Sequence, residues 1–466
     1  MTPEEVIKFI HDEGVEIIDL KFTDVPGTLQ HVGVPPNEVN EDLFAYGTGF
    51  DGSSIRGFQT IDESDMLIVP DASTANIDPV YKIKTLSLLC NIRDPLTGAD
   101  YSRDPRNIAK KAEAHLKSTG IGDTSFWGPE AEFFIFDSAS FSQDSHSSHH
   151  SVDSDEGIWN SGNEYMLDGK GRLLPVPPVD TLSDIRSEMV IEMQKFGMKI
   201  EKHHHEVATA GQGEIDIVYD TLVKTADNIM IYKYLVKNVA ARHGKTATFM
   251  PKPLFDDNGT GMHTHQSIWK DGGRNAFYDA EDSERLSSVA RHFIAGLLRH
   301  AREISAVTNQ WVNSYKRLVP NFEAPVHVTW ATVNRADLVR VPSYKPGREE
   351  SRRVEFRSPD PACNPYLAFS VMLAAGLEGI EKKYELPDPT GADVFDMTDA
   401  ERKAHGIESL PSNLLEALRI TEESELVRNA LGDSVFKSFV ENKKIDWERY
   451  RSQVTDYEIA RYLPTL

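Results

Sequence analysis

The chain has 466 residues with 50 Lys and Arg against 73 Asp and Glu, a formal net charge of −23 that argues against nucleic acid and anionic membranes as partners. Hydrophobic residues at 39% and aromatics at 9% suit a folded protein with room for two or three domains rather than a disordered chain. The two cysteines, Cys90 and Cys363, cannot build a disulfide framework, and with no basic-then-apolar leader and no apolar run near about 18 residues a soluble cytoplasmic protein is the expectation.

In chain order, "TPEEVIKFIHDEG" predicts a short helix: Thr2 as N-cap, Pro3 at the first helical position, Glu5 closing a capping box and Gly14 beyond the end. "VEIIDLKFTDVPGTLQHVGVP" alternates like two strands about the turn "DVPG", and further short strands run to "TLSLLCNIRD". The Pro, Gly and Asp of "RDPLTGADYSRDPRN" read as a linker, so a small α+β domain is expected over 1–105 and a larger one over 106–466.

The larger part opens on "FWGPEAEFFIFD", a β-forming aromatic run with Glu130 and Glu132 on one strand face. Two carboxylates that close repel, and desolvation protonates one of them unless a positive charge such as a divalent metal sits between. The plainer reading is a strand end with both glutamates in water. The polar "SFSQDSHSSHHSVDSDEG" that follows reads as a solvated surface loop, His146, His149 and His150 included.

In "KHHHEVATAGQGEIDIVYD", Glu206 and Glu214 flank a glycine-containing bend, on adjacent strands or on one bulged strand, and Glu214 shares a face with Asp216. "TADNIMIYKYLVKNVAARHG" and "SERLSSVARHFIAGLLRHAREI" carry apolar residues at helical spacing, the first closed by Gly244. "KPLFDDNGTGMHTHQS" leads a glycine-rich turn into a strand with His263 and His265 on one side, and imidazole is a common ligand of divalent metals. Neither a P-loop nor a dinucleotide fingerprint is present.

"SRRVEFRSPDP" places Arg353, Glu355 and Arg357 on one strand face, as an anion site beside a metal or as a salt-bridge ladder, while upstream segments add Arg317, Arg335 and Arg340. Oxygen ligands with one imidazole favour Mg²⁺ or Mn²⁺. Strand-borne glutamates beside arginines therefore point to metal-assisted phosphoryl transfer from a nucleotide to a small anionic acceptor.

With these motifs in this order the chain resembles type I (bacterial-type) glutamine synthetases over essentially its whole length, "FDGSSIRGFQTIDESDM" resembling the amino-terminal signature and "KPLFDDNGTGMHTHQS" the ATP-region signature. The resemblance implies an α+β fold: a small N-terminal β-grasp-like domain and a large catalytic domain whose antiparallel sheet lines the active site, with flanking helices. It implies two or three Mg²⁺ or Mn²⁺ ions per site, one metal held by Glu132, Glu206 and Glu214 and another by Glu130, His263 and Glu355. The implied reaction passes from L-glutamate, ATP and ammonium through γ-glutamyl phosphate to glutamine.

By the same resemblance Arg317 and Arg357 bind glutamate carboxylates, with Asn258 and the Gly259 backbone at the amino-acid end. Arg335 and Arg353 face the transferring phosphoryl group, and Tyr219, His265, Ser267, Arg340 and Arg353 surround ATP, Tyr219 stacking on adenine. Asp51 receives a proton from ammonium, Glu323 shields the acyl phosphate, and Asp51 comes from the neighbouring subunit. The implied assembly is a dodecamer of two hexameric rings, the terminal "DYEIARYLPTL" reaching across.

The pattern also departs from the family. Phe395 stands where some members have a modifiable tyrosine, so no adenylylation is expected there, and Thr60 replaces a feedback-inhibition arginine. The 138–163 segment resembles the insertion of the adenylylated subgroup, and either Lys345 or Arg348 fills the role of a nucleotide-contacting lysine. A γ-glutamyl amine or polyamine ligase is the alternative within this chemistry, and a non-catalytic ring-forming scaffold the alternative outside it.

Overall fold

Thr2 and Glu5 exchange bonds across the first turn of the helix Pro3–Asp12, the Glu5 amide donating to the Thr2 hydroxyl and the Thr2 amide to the Glu5 carboxylate at 2.8 Å. Gly14, at φ 62°, then ends the helix in the left-handed region that costs glycine nothing. The computed structural model describes every residue except 59–63, 161–172, 321, 333, 391–393 and 395–396. Thr60, Phe395 and part of the 138–163 segment therefore lie outside the described residues.

Six strands form the N-terminal sheet: β1 Ile17–Thr23, β2 Leu29–Val34, β3 Thr48–Asp51, β4 Asp65–Pro70, β5 Asn76–Asp78 and β6 Thr85–Arg93. Their order is β2-β1-β6-β4-β3, with β5 on β6 and β1 parallel to β6. The expected hairpin about "DVPG" is present, with Ile18 opposite Val34 and Thr23 opposite Leu29. Ile18, Leu20 and Phe22 join the core, while Asp19 and Lys21 on the alternate face are buried as an ion pair.

The catalytic sheet follows β7 Thr124–Phe136, and polar residues 138–153, expected as a loop, instead pair as the exposed hairpin β8 Ser138–Gln143 with β9 Ser148–Asp153. Serine, histidine and valine tolerate extended backbone, and the period-2 apolar signal is missing because neither face is covered. Next come β10 Ile200–His205, β11 Gln212–Ile217, β12 Asp220–Thr221, β13 Thr246–Thr248, β14 Met262–Lys270, β15 Arg274–Asn275, β16 Trp330–Ala331, β17 Val339–Arg340 and β18 Val354–Phe356. The order is β10-β11-β7-β14-β18-β17-β16, antiparallel save for the β16–β17 pair.

Side chains alternate along β7: Trp127, Ala131 and Phe133 turn to the helices, while Gly128, Glu130 and Glu132 line cavities. Trp127 stacks on Phe369 of helix Pro365–Glu381 at 5.1 Å, and the Tyr232 hydroxyl of helix Leu222–Arg242 donates to the Ala131 carbonyl at 2.8 Å. The second long amphipathic segment forms helix Ser288–Thr308, capped by Ser287.

The domains are joined by Arg106. Its Nε and Nη2 donate to the two Asp227 oxygens at 2.9 Å each, Nη2 also to Asp71 at 2.9 Å, and Nη1 to Asn91 at 2.8 Å.

Candidate active site

Strand register arranges the chemistry in rows. Glu214 of β11 lies between His204 of β10 and Glu132 of β7. In the next row Asp216 lies between Lys202 and Glu130, and Glu130 faces His263 of β14. In the third, His265 faces Glu355 of β18, which faces Arg340 of β17. Because residues directly opposite on neighbouring strands point the same way, segments more than a hundred residues apart in sequence, such as those of Glu130 and His263, present acids and imidazoles on one surface. Glu206 is not strand-borne as expected: it follows β10, its amide donating to the Gln212 carbonyl at 2.9 Å.

Two cavities open on this surface. The larger, about 660 Å³, is walled by Glu132, Glu206, Glu214, Asn258, Gly259 and Arg357, among others. His263, Arg317, Glu323, Arg335 and Arg340 also line it. The smaller, about 310 Å³, is walled by Tyr219, His265, Ser267 and Arg353, and Glu130 borders both. Arg348 lines the smaller cavity and Lys345 does not. Arg340 lies in the larger cavity, not with the other residues expected around ATP.

Charge is unevenly compensated here. Burial, then the Glu206 carboxylate, push Glu132 up to about 8 against the weaker pull of Arg317 and Arg357, and among the described residues its Oε2 accepts only from neutral donors, Gln212 Nε2 at 3.0 Å and the Gly261 amide at 2.8 Å. Burial also raises Glu206, and burial with the Asp216 bond raises Glu214 well above the carboxylate range. Burial opposes ionisation of Glu130 and Glu355 too, yet it is outweighed by His265 and His263 together at Glu130, and by these with Arg357 and Arg340 at Glu355. Glu130 sits well below the usual range and Glu355 at about 2, with Arg357 and Arg340 bonded to the Glu355 oxygens. Burial and Arg357 hold His263 down to about 4, the neutral form that ligates metals.

The residues fit divalent cations. Glu132, Glu206 and Glu214 line one cavity, where Glu206 raises Glu132 and Glu132 raises Glu214, while Glu130, His265 and Glu355 offer ligand atoms within 4.8 Å of one another, as do His204, Glu214 and Asp216. One Asp216 oxygen is buried with no hydrogen-bond partner among the described residues. His263, rather than His265, is the imidazole expected from the sequence beside Glu130 and Glu355; its Nδ1 lies 3.6 Å and 3.9 Å from their oxygens.

The arginines divide by position. Arg317 is buried and donates to the carbonyls of Ser358 at 2.6 Å, Pro359 at 3.3 Å and Arg357 at 3.1 Å, so it holds the wall that carries Arg357. Arg353 donates to His265 Nδ1 at 3.2 Å, and Arg335 is exposed at the larger cavity. Glu323, also at the larger cavity, is exposed at φ 53°, backbone strain of the kind that collects at functional sites. The Tyr219 ring is half exposed and edge-on to Phe126 at 5.4 Å.

Asp51 lines neither cavity of its own chain; it sits fully exposed at the end of β3, its carboxylate held below the usual range by the Ser53 and Ser54 hydroxyls. Gln212 and His204 escaped sequence reasoning. Gln212 donates to Glu132 and to the Gly259 carbonyl at 2.9 Å, and His204 lies 3.6 Å from both Glu206 and Glu214. Their only sequence signal was proximity to the two glutamates.

Comparison with known proteins agrees with this geometry. The glutamine synthetase β-grasp domain matches residues 14–95 and the glutamine synthetase catalytic domain residues 102–462. A glutamine synthetase of Frankia alni is 46% identical, covering 98% of each chain, and one of Aquifex aeolicus 47% identical, covering 97% of this chain and 96% of its own. Among solved structures, Plasmodium falciparum glutamine synthetase aligns over 99% of each chain with a TM-score of 0.88 at 26% identity. A GmaS–ADP complex aligns with a TM-score of 0.83 at 30% identity, over 98% of this chain and 99% of its own. The chain belongs to the glutamine synthetase family.

Proposed function

We propose that this chain joins ammonia to the γ-carboxyl of L-glutamate at the expense of ATP. The observation that carries the reading is one sheet face that holds an arginine-lined cavity containing the raised carboxylates Glu132, Glu206 and Glu214 beside a cavity lined by Tyr219, with Glu130 bordering both. Mg²⁺ or Mn²⁺ held by Glu132, Glu206 and Glu214 and by Glu130, His263 and Glu355 supplies charge neutralisation at the transferring phosphoryl group.

Asn258 and the Gly259 backbone take the amino-acid end of glutamate, and Arg357, held by Arg317, takes a carboxylate. The γ-carboxylate oxygen forms a bond to the γ-phosphorus as the bond to ADP breaks, with Arg335 and Arg353 stabilising the charge spread over the phosphoryl oxygens. Ammonia then forms the C–N bond, inorganic phosphate leaves, and the surplus proton passes to Asp51 of an adjacent chain. Glu323, at the cavity mouth, keeps water from the acyl phosphate.

A ring of two stacked hexamers accounts for two features of the lone chain: Asp51 lies outside its own cavities, and helix Asp456–Tyr462 buries no residue. Phosphate release with L-glutamate, ATP and Mg²⁺ tests the reading, comparing ammonium with putrescine and spermidine and identifying products by mass. Glutamine from ammonium is expected. Release with amines alone would retain the acyl phosphate but replace ammonia as acceptor, and no release with any acceptor would overturn the reading.

A further inference from the structure

Between the N-terminal sheet and the catalytic domain lies another cavity, of about 640 Å³, which shares no lining residue with the two above. In a chain with a net charge of −23 its wall is unusual: Lys21, His31, Lys233 and Lys237 line it and no acid does. Lys21 and His31 are already neutralised behind the wall, Lys21 by Asp19 and by Asp78 at 2.8 Å, His31 by Asp19 at 2.7 Å.

Lys233 and Lys237 are not. Lys233 is 9% exposed, and among the described residues its ammonium group donates only to the Pro361 and Cys363 carbonyls, at 3.2 Å and 3.3 Å. An ammonium has three N–H donors, so one is left for a ligand. Burial, with the neighbouring Lys237 charge, pushes Lys233 down to about 8 despite the opposing pull of Asp360, and a bound anion relieves that cost. Lys237, one helical turn on, makes no ion pair among the described residues and lies over the Phe249 ring at 5.9 Å. Trp311 and Tyr234 supply apolar surface beside them.

We propose that this cavity binds a small organic carboxylate, its anionic end between Lys233 and Lys237 and its apolar body against Trp311 and Phe249. The volume is that of a small-molecule site, and no arginine fork of the kind that suits phosphate lines it. The site abuts the glutamate-binding turn: Thr260 donates its amide to Pro251 and its hydroxyl to Met250, each at 2.9 Å, and Met250 and Pro251 line this cavity.

Calorimetric titration of the full-length protein with phthalate tests this, with neutral phthalamide and inorganic phosphate as parallel arms. Saturable phthalate binding at one site per chain is expected, weakened about tenfold or more in Lys237→Gln, the loss of one charge-assisted bond. Lys237 is exposed on a long helix, so circular dichroism should find that variant folded; Lys233→Met supplies a second test of the same pair. Arg357→Gln, which alters the active site, should leave phthalate binding intact. Any of four results overturns the proposal: no phthalate binding, equal binding of phthalamide, binding of phosphate alone, or phthalate binding that survives Lys237→Gln but falls in Arg357→Gln.

Discussion

Two clusters of buried carboxylates sit within this chain and answer burial differently. Between the domains, both oxygens of Asp227 accept from Arg106, and one also accepts from the Tyr366 hydroxyl at 2.7 Å. On the catalytic sheet Glu132 is also buried, at 7% exposure, yet among the described residues its Oε2 accepts only from an amide side chain and a backbone N–H while Glu206 repels it. A compensated buried charge is architecture. An uncompensated one is retained against its folding cost because something positive completes it.

The contrast breaks most sharply at Glu132. Glu132→Ala should lower kcat/KM for phosphate release by at least about a thousandfold while size-exclusion chromatography shows an unchanged assembly, since loss of even one preorganised charge-stabilising group costs about 10²–10³. Near wild-type turnover would remove Glu132 from the metal set. Arg106→Met should behave oppositely, destabilising the fold by about 3–5 kcal/mol in denaturant titration by stranding Asp227, with little effect on KM for glutamate in the protein that remains folded.

Gln212→Met sharpens the comparison within the site. It removes the bridge from Glu132 to the Gly259 carbonyl, so kcat/KM should fall about 10–100-fold with the carboxylates all present. Tyr219→Ala, the mildest change, should raise KM for ATP about tenfold with kcat nearly constant, and Tyr219→Phe should restore it, if the ring serves as a stacking surface.

Local pattern made one half of this legible. Glu130 with Glu132, His263 with His265, and Arg353 with Glu355 and Arg357 are two residues apart, so strand alternation alone puts each set on one face. The capping box at Thr2 and the hairpin about "DVPG" are equally local. What pairs at long range was not legible: that β11 lies beside β7 and β18 beside β14 decides that Asp216 meets Glu130 and that Arg340 meets Glu355. The same limit hid Gln212, whose role depends on the glycine turn some fifty residues away, and the β8–β9 hairpin, whose polar sequence carries no buried face.

The most direct test is thermal unfolding with and without Mg²⁺ or Mn²⁺, in the wild type and in Glu132→Gln. If the sheet face is a metal site left short of positive charge, metal at about a hundredfold excess over Kd should stabilise the wild type by about 2.7 kcal/mol. Glu132→Gln should unfold at a higher temperature than the wild type without metal and lose most of the metal-dependent shift. A wild type indifferent to both metals, or a Glu132→Gln variant that responds as the wild type does, would contradict it.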